Sequence, residues 1–246
     1  MKRYMMSDIH GFLEAFEAAL KKTDLSGENQ LILLGDYIDY GPDGRAVLEK
    51  VRALQEKYGS EKVIALMGNH EKALLDLDLS HFSTERGKRL LEYTSSVLSD
   101  SSYSYIQNRM NQKGFFSINL SGKNILFLHG DIADPYWGKL LPEKIHDIRY
   151  STYDYVFSGH THQPHYMESY FKVDRPDLRN KKKTVFINPG SVGQPRNQNP
   201  RAQYVYIEVD SGSVHFNAVS YDIESERNLY PDGIDPFYKD RILTGI

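Results

Sequence analysis

Five short blocks of aspartate, asparagine and histidine are the residues of this sequence best suited to chemistry. In chain order they are Ser7–Gly11, Gly35-Asp36, Gly68–Glu71, His129–Asp131 and Gly159–His162. Imidazole nitrogens and carboxylate or amide oxygens are common ligands of transition-metal ions, and an ion would offset the cost of burying them. A glycine in every block lets the backbone turn sharply and approach an ion or a phosphate closely. Together the blocks predict a metal site.

The elements that position these blocks are predicted strands, because each block follows a short apolar run. In the first third of the chain, runs at Tyr4–Met6, Leu31–Leu34 and Val63–Leu66 alternate with helical patterns after Phe12 and over Asp43–Tyr58. A β-α-β-α-β order predicts parallel strands with right-handed crossovers. The carboxyl ends of such strands share one edge of the sheet, where binding sites form.

The second half of the chain is predicted to be mostly strands. Residues 115–120 and 124–128 flank a hairpin turn, and further strands are predicted at Tyr153–Phe157, Thr184–Ile187, Gln203–Val209 and Val214–Val219. Before them, residues 71–112 have a broken helical periodicity and are predicted to form a helical insertion near the site. Since no linker or shift in composition divides the chain, we predict one domain over residues 1–246.

Composition argues against several classes of function. The net charge is −3 and the basic residues are dispersed, so no nucleic-acid surface is expected. The basic run Lys181–Lys183 is interpreted as a solvated hairpin tip. Without cysteine there are no disulfides and no thiolate chemistry. No apolar run approaches the ~20 residues of a membrane span, and we find no signal peptide. These features predict a soluble, cytoplasmic protein with a small-molecule partner, and they leave its oligomeric state open.

The ordered blocks resemble those of the calcineurin-like metallophosphoesterase superfamily, whose pattern is D-x-H, G-D, G-N-H-[DE], H and G-H-x-H. Every block is present in order between Asp8 and His162, and Ile187–Arg196 resembles a loop of the bacterial phosphodiesterase-like branch. The resemblance implies an α/β fold, a four-layer α-β-β-α sandwich of two mixed sheets with the site at their shared loop edge. It also implies hydrolysis of a phosphate ester, a small-molecule phosphodiester or phosphomonoester, by metal-activated hydroxide.

The resemblance further implies two metal sites with one shared ligand. One ion would be held by Asp8, His10, Asp36 and His162, and the other by Asp36, Asn69, His129 and His160. Asp36 would bridge, because two cations ~3.5–4 Å apart need negative charge between them. The mixed nitrogen and oxygen ligands suit manganese, our first expectation, or iron, zinc or nickel, better than magnesium or calcium.

Two residues outside the ligand set are implied to act in catalysis. His70 matches the family's histidine that stabilises or protonates the leaving group without binding metal. Asp39 is expected to orient the His70 imidazole. For Asp131, capping of backbone amides and a role at the metal site stay equally open. Glu71 is expected to stabilise a helix N-terminus rather than to act in catalysis.

One departure from the family pattern bears on the substrate. Phosphoprotein phosphatases and dinucleoside-tetraphosphatases resemble G-D-x-x-D-R-G, with an arginine that clamps phosphate, whereas this sequence has Tyr40 at that position. A tyrosine hydroxyl cannot offer a charged bidentate fork, which favours the phosphodiesterase-like branch. Tyr40 and Arg196, which could supply charge instead, are candidate substrate contacts.

Several alternatives stay open at this point. The chain could be a serine/threonine phosphoprotein phosphatase or a dinucleoside-polyphosphate hydrolase, or a non-catalytic metal-binding scaffold. Loss of ligands or of the catalytic histidine would mark a scaffold, and neither is lost. Tyr136 and Trp137 could stack on a base or an aryl leaving group, or simply pack.

Overall fold

Two five-stranded sheets lie at the centre of the structure, a computed structural model that describes residues 1–82, 84–232 and 234–246. The strands are β1 Lys2–Met6, β2 Gln30–Leu33, β3 Val63–Ala65, β4 Phe115–Leu120, β5 Lys123–Leu128, β6 Tyr155–Ser158, β7 His165–Lys172, β8 Lys181–Asn188, β9 Ala202–Glu208 and β10 Ser213–Val219. The α-helices are α1 Leu13–Leu20, α2 Gly44–Tyr58, α3 Asn69–Asp76, α4 Glu85–Val97, α5 Asp100–Arg109, α6 Ile223–Asn228 and α7 Pro236–Arg241. Short 3-10 helices lie at Pro142–Lys144, Ile148–Thr152 and Pro176–Leu178.

The first sheet has the strand order β10-β9-β1-β2-β3, and β1, β2 and β3 are parallel as predicted. The apolar parts of β1 and β2 are buried on both faces, which explains their continuous apolar runs. Met6 belongs to the core that the sheet forms with helices α1 and α2, whereas Met5 points the other way, into the core between the two sheets. Asp43 is the N-cap of α2. Its side-chain carboxylate accepts the N–H of Ala46, a backbone donor that has no partner within the helix.

The second sheet has the order β4-β5-β6-β8-β7, with β5, β6 and β8 parallel and both edge strands antiparallel. Phe127, Phe157 and Ile187 pack from this sheet against Met5 and Ile32 of the first. The outer face is covered by the segment that contains two of the 3-10 helices, through residues Leu140, Ile145 and Tyr150. The predicted sandwich of two mixed sheets is therefore confirmed.

The β7–β8 hairpin differs from the prediction. Strand β7 was not predicted, because its alternation of polar and aromatic residues lies on an edge strand with an exposed face. The basic run Lys181–Lys183 begins strand β8 and does not form the hairpin tip. Two of its lysines have acidic neighbours: Lys183 Nζ lies 3.0 Å from Glu168 and Lys182 Nζ lies 3.6 Å from Asp154.

Helices α3, α4 and α5 occupy the stretch predicted to be helical at residues 71–112. The short helices α6 and α7 near the C-terminus were not predicted, since six residues are too few to show a helical period. Within the described ranges, no helix combines the length and the apolar character that crossing a bilayer requires.

Candidate metal centre and active site

The blocks found in the sequence lie in loops that share an unusual backbone conformation. Seven of their residues and close neighbours have φ between +52° and +67°: Asp8, His10, Asp36, Asp39, Tyr40, His160 and His162. Residues other than glycine rarely adopt this left-handed region, at a cost of about 1–3 kcal/mol each where it persists. The surrounding fold must hold these loops in place, and strained backbone of this kind is concentrated at functional sites.

Glycines let the loops after β2 and β3 approach one another. A Cβ atom on Gly68 would lie 2.2 Å from Asp36 Oδ1, and one on Gly35 would lie 2.7 Å from the Gly68 backbone and 2.8 Å from His129 Nδ1. No side chain fits at either position without a shift of these neighbours. The close approach brings Asp36 and His129 to the same point between the two sheets.

A first group of buried side chains consists of Asp8, His10, Asp36 and His162. His10 Nε2 lies 3.2 Å from His162 Nε2 and 3.6 Å from Asp36 Oδ2, and His162 Nε2 lies 3.3 Å from Asp8 Oδ1. Each imidazole Nδ1 donates to a backbone carbonyl, His10 to Ile38 at 2.8 Å and His162 to Gln194 at 2.7 Å. In the neutral rings, both Nε2 lone pairs must therefore face the carboxylates.

Such lone pairs cannot satisfy one another, and Asp8 Oδ1 is buried without a hydrogen-bond partner among the described residues. A cation between the four side chains would satisfy all of them, since backbone bonds at Nδ1 are how proteins orient metal-binding histidines. The donor set therefore fits a metal ion.

A second group, Asp36, His129 and His160, meets the first at Asp36. His129 donates Nδ1–H to the carbonyl of Leu34 at 2.8 Å, which leaves Nε2 facing Asp36 Oδ2 at 3.4 Å. Asn69 Oδ1 lies 2.9 Å from both His129 Nε2 and His160 Nδ1, so it completes the set as a fourth oxygen or nitrogen donor. The arrangement fits a second ion with Asp36 between the two.

Electrostatics at the two groups reflects the burial of both carboxylates and imidazoles. Burial lowers the pKa of His10 and of His162 well below the ordinary value, and it raises the pKa of Asp8 to about 7. For His129, burial is outweighed by the carboxylates of Asp36 and Asp8, which raise its pKa to about 9. Without metal, a proton on His129 partly balances the carboxylates, and a metal ion would take over that role.

His70 lies beside the two ligand groups, and Asp39 holds its imidazole ring in place. Its Nδ1 lies 2.5 Å from Asp39 Oδ2, and Thr94 Oγ1 of helix α4 donates to the other oxygen of Asp39. Its backbone N–H donates to Asp36 Oδ1 at 3.1 Å. Burial opposes protonation of His70, but the negative charges of Asp36 and Asp39 raise the pKa of the imidazole above its ordinary value.

Glu71 has a wider structural role than the sequence indicated. Its carboxylate is fully buried and accepts four backbone N–H groups, from Gly68 at 2.9 Å, Asp36 at 3.0 Å, Tyr37 at 2.7 Å and Ile38 at 3.2 Å. It thus stabilises the N-terminus of α3, as predicted, and also fixes the loop that carries Asp36. The second role was missed, because it depends on a contact between loops 35 residues apart.

Asp131 was left between two roles by the sequence. Its Oδ1 accepts the N–H groups of Ala133 and Asp134, both at 2.8 Å, and its Oδ2 accepts from Lys144 at 2.5 Å. It belongs to neither ligand group. The contacts favour the capping role.

Comparison with known proteins agrees with this geometry. Residues 1–212 match the Calcineurin-like phosphoesterase superfamily domain. The chain belongs to this superfamily. It is 27% identical over 221 residues to the phosphodiesterase YfcE of Escherichia coli, covering 87% of this chain and 91% of YfcE. It is 26% identical over 232 residues to an uncharacterized protein of Methanocaldococcus jannaschii, covering 89% of this chain and 88% of that protein. The crystal structure of a metallophosphoesterase from Sphaerobacter thermophilus, 24% identical, matches its fold with a TM-score of 0.75 over 100% of both chains.

A pocket of about 640 Å³ opens above both ligand groups of this phosphoesterase. Its floor is formed by side chains of the site already described: Asp36, Asn69, His70, His160 and His162. One wall holds Tyr40, Arg196 and Tyr238. The Tyr40 ring lies 4.5 Å from that of His10, 4.9 Å from that of His70 and 4.9 Å from that of Tyr238. Tyr40 and Arg196, the two candidate substrate contacts, therefore both line the pocket above the two ligand groups.

Another part of the pocket lining is aromatic. The Trp137 ring is stacked on His81 at 4.2 Å, and Phe82 lies edge-on to Trp137 at 6.1 Å and to His70 at 5.5 Å. Trp137 therefore lines the pocket, whereas Tyr136 donates its hydroxyl hydrogen to the carbonyl of Gln112 and packs away from the ligands. Of the two aromatic residues weighed for stacking, only Trp137 is in a position to do so.

Two residues near the site were missed as functional candidates. Thr94 was interpreted as part of an apolar helix face. The signal that could have identified it as a functional candidate was its polar side chain on that face. Tyr238 of helix α7 reaches the pocket from the C-terminal segment, beyond the residues that match the superfamily domain. No sequence signal connects it to the metal-binding blocks.

Proposed function

We propose that this phosphoesterase hydrolyses a small-molecule phosphate ester, a diester or a monoester, at a centre of two divalent metal ions. The observation that supports this proposal is the pair of buried ligand groups that share Asp36 beneath an open pocket. The protein belongs to a metal-dependent family, and its two groups of buried side chains support the proposal of two ions.

Eight ligand positions follow from the two groups, with Asp36 used twice. Asp8, His10, Asp36 and His162 would hold one ion, and Asp36, Asn69, His129 and His160 would hold the other. When bound, such ions polarise phosphoryl oxygens and lower the pKa of a water ligand, so that hydroxide is present near neutral pH. We propose manganese, because mixed imidazole and carboxylate ligands suit it better than magnesium or calcium.

His70 is proposed to give a proton to the leaving oxygen of the ester. The carboxylate of Asp39 accepts from Nδ1, which leaves Nε2 as the nitrogen available for transfer. The charges of Asp36 and Asp39 raise the pKa of His70, which favours the protonated ring that this transfer requires. Thr94 holds the second oxygen of Asp39, so Asp39 and Thr94 fix the orientation of the imidazole.

Tyr40 and Arg196 are proposed to contact the substrate. Arg196 supplies the positive charge that Tyr40 cannot provide, from the loop after β8 rather than from the position of the family's arginine. Because this positive charge suits an anionic polyphosphate, hydrolysis of a dinucleoside polyphosphate is a second candidate function. The scaffold alternative has no support, since the ligand set and His70 are complete. One domain over residues 1–246 and a cytoplasmic location stay predictions.

A substrate panel tests the proposal on manganese-loaded protein, with phosphomonoesters, cyclic and linear diesters, dinucleoside polyphosphates and phosphopeptides. We expect hydrolysis of small esters that disappears with a chelator and in the Asp36→Asn variant, with two ions per chain in the wild type. Hydrolysis of phosphopeptides alone would point to a phosphoprotein phosphatase. A protein that binds two ions and cleaves nothing would support the scaffold.

A further inference from the structure

Three arginines surround the Tyr40–Tyr238 pair at the wall of the pocket, and we call Arg86, Arg196 and Arg241 with these two tyrosines the arginine corner. In the described part of the chain, none of the three arginines forms an ion pair with a carboxylate side chain. The arginines that do so there lie elsewhere: Arg45, Arg52, Arg149, Arg175 and Arg227. The arginine corner therefore brings together three guanidinium groups that have no paired carboxylate side chain.

Arg196 is the member of the arginine corner that lines the pocket. Its backbone N–H donates to the carbonyl of the ligand His162 at 3.3 Å, and its Nε is buried without a hydrogen-bond partner among the described residues. The loop is held from the C-terminal side, because Gln198 donates its N–H to the carbonyl of Gly245 at 2.8 Å. Gly245 is close to that loop, since a Cβ on it would lie 2.7 Å from the Asn199 backbone.

Arg86 and Arg241 form a second layer behind the tyrosines. The Arg86 guanidinium lies 3.9 Å from the centre of the Phe237 ring and 5.7 Å from that of Tyr238, and the Arg241 guanidinium lies 5.2 Å from that of Phe237. These cation–π contacts fix both guanidinium groups without neutralising them. Arg241 also donates its Nε–H to the main-chain oxygen of Ile246.

The accumulated charge has a cost that an anion would remove. Burial lowers the pKa of Arg241, and the nearby charges of Arg196 and Arg86 lower it further. Guanidinium groups are suited to phosphate, since they can donate two parallel hydrogen bonds to its oxygens. Metal ions held by the two ligand groups would offset the charge of the phosphoryl group that is cleaved, so the corner is available for a different anionic group.

We propose that the arginine corner is a subsite for a second phosphate group of the substrate, with Arg196 as its contact residue. The inference rests on the proposed function for the position of the cleaved ester. It narrows the substrate class to esters that carry a further phosphate beside the scissile one. Arg86 and Arg241 raise the positive potential at Arg196, and Tyr238 limits the size of the subsite.

Two nucleotides that differ by one phosphate test this proposal: adenosine 3′,5′-bisphosphate and adenosine 5′-monophosphate. We expect kcat/KM for phosphate release by the manganese-loaded wild type to be at least about tenfold higher for the bisphosphate, through a lower KM. In Arg196→Ala this ratio should fall towards one, and Arg196→Lys should retain part of it. Arg89→Ala is the matched control, because Arg89 is exposed on the same helix as Arg86 and should leave the ratio unchanged.

Binding to metal-free protein separates the subsite from catalysis. By titration calorimetry in the presence of a chelator, we expect the bisphosphate to bind the wild type about tenfold more tightly than it binds Arg196→Ala. Equal rates for the two nucleotides in the wild type, or an unchanged preference in Arg196→Ala, would overturn the proposal. If the calorimetric difference is found but no ester of the substrate panel is hydrolysed, the subsite stands and the proposed function fails.

Discussion

At the scale of single residues, the position of a proton distinguishes the metal ligands from the catalytic candidate. His10, His129 and His162 donate Nδ1–H to backbone carbonyls, so their Nε2 atoms are fixed as acceptors towards an ion. His70 instead has its Nδ1 beside the carboxylate of Asp39, which favours a charged ring with a proton to donate. The partner of Nδ1 thus distinguishes these histidines: a backbone carbonyl suits a ring for binding metal, and a carboxylate suits a ring for donating a proton.

The first prediction concerns His70. We expect His70→Ala to lower kcat by about 10²–10⁴, the range for a removed general acid, while both metal ions stay bound. The reason is that His70 belongs to neither ligand group. Steady-state kinetics together with metal analysis by mass spectrometry checks this. Asp36→Asn is the matched control, because it should lose metal and activity together. A fall of metal content in parallel with activity in His70→Ala would contradict the assigned role.

The second prediction concerns Tyr40, which occupies the position of the family's phosphate-clamping arginine. A dianionic monoester gains more from a charged clamp than a monoanionic diester does, since charge-assisted bonds are roughly twice as strong as neutral ones. We therefore expect the wild type to cleave bis-p-nitrophenyl phosphate with kcat/KM at least comparable to that for p-nitrophenyl phosphate. Tyr40→Arg should shift the ratio towards the monoester.

Arg196 also lines the pocket and is a second source of charge there. The control for this prediction is a Tyr40 variant that adds no charge. Tyr40→Phe keeps the ring contacts with His10 and Tyr238 but removes the hydroxyl, so it should leave the ratio close to that of the wild type. A strong monoester preference in the wild type that Tyr40→Arg does not change would show that Arg196 alone decides the charge at this wall.

Residues of the metal-binding blocks could be recognised in the sequence because their types are restricted and their order is fixed. Asp8 and His162 are 154 positions apart, but each follows a strand, and strand ends meet at one edge of the structure. The wall residues could not be recognised in this way. Tyr238 and Thr94 are ordinary helix residues in sequence, and only packing brings them to the site.

At the scale of elements, two buried glutamates hold segments together that are distant along the chain. Glu71 joins the start of α3 to the loop after β2. Glu226 of α6 accepts the N–H of Ala15 at 3.2 Å, at the start of α1, where Phe12 offers no side-chain cap. The helix start that lacks its own cap thus obtains one from the C-terminal segment.

The third prediction follows from the burial of Glu226. Burial raises its pKa to about 7 from an ordinary 4.5, with a further contribution from Glu14, against the lowering effect of the Ala15 N–H. The folded state then binds a proton more tightly than the unfolded state does, so this group's contribution to the free energy of unfolding falls as pH rises from about 4.5 to 7. Glu226→Gln should match the wild type at pH 5 and be more stable by roughly 1–3 kcal/mol at pH 8.

Chemical unfolding of metal-free protein at the two pH values measures this difference. Glu224→Gln serves as the control, because Glu224 is exposed on the same helix and should show little change between the two pH values. A Glu226→Gln variant that is less stable than the wild type at pH 8 would mean that the charged carboxylate stabilises α1 more than its burial costs.

Elements with a strong apolar pattern were predicted well, whereas strand β7 and the two short C-terminal helices were not. The strands β1, β2 and β3 each contain a continuous apolar run, so their positions were predicted to within two residues. Strand β7 lies at the edge of its sheet, where one face meets solvent and polar residues interrupt the pattern. Helices α6 and α7 have six residues each, fewer than two full turns, and depend on caps and on tertiary contacts for their stability.

At the scale of the whole molecule, the two sheets contribute different members of the proposed ligand set. Asp8, Asp36 and Asn69 follow strands of the first sheet, whereas His129, His160 and His162 follow strands of the second. Bound ions would therefore join the sheets at their common edge. The strength of this connection depends on the free concentration of the metal, since only the folded protein has both halves of each ligand set assembled.

The fourth prediction is that removal of metal destabilises the protein. At a free manganese concentration of 100 times Kd, the gain is about 2.7 kcal/mol for each site, so a chelator should lower Tm by several degrees. Thermal unfolding with manganese and with chelator checks this. In Asp36→Asn the difference should largely vanish, since both groups lose their common ligand. A wild-type Tm that is the same in both conditions would contradict binding between the sheets.

The strand order also determines when during synthesis such a centre can first exist. Strand β1 pairs with β2 on one side and with β9 on the other, so the neighbour of Lys2 is Glu208, more than two hundred residues later. The last proposed ligand, His162, is followed by strands β7 to β10, which complete both sheets. A ribosome must therefore release most of the chain before either ion can be held by all of its ligands. Until then the early aspartates and histidines are not assembled into a site, since an unfolded chain rarely has a preformed metal site. We therefore expect both ions to bind late, after most of the chain has been synthesised.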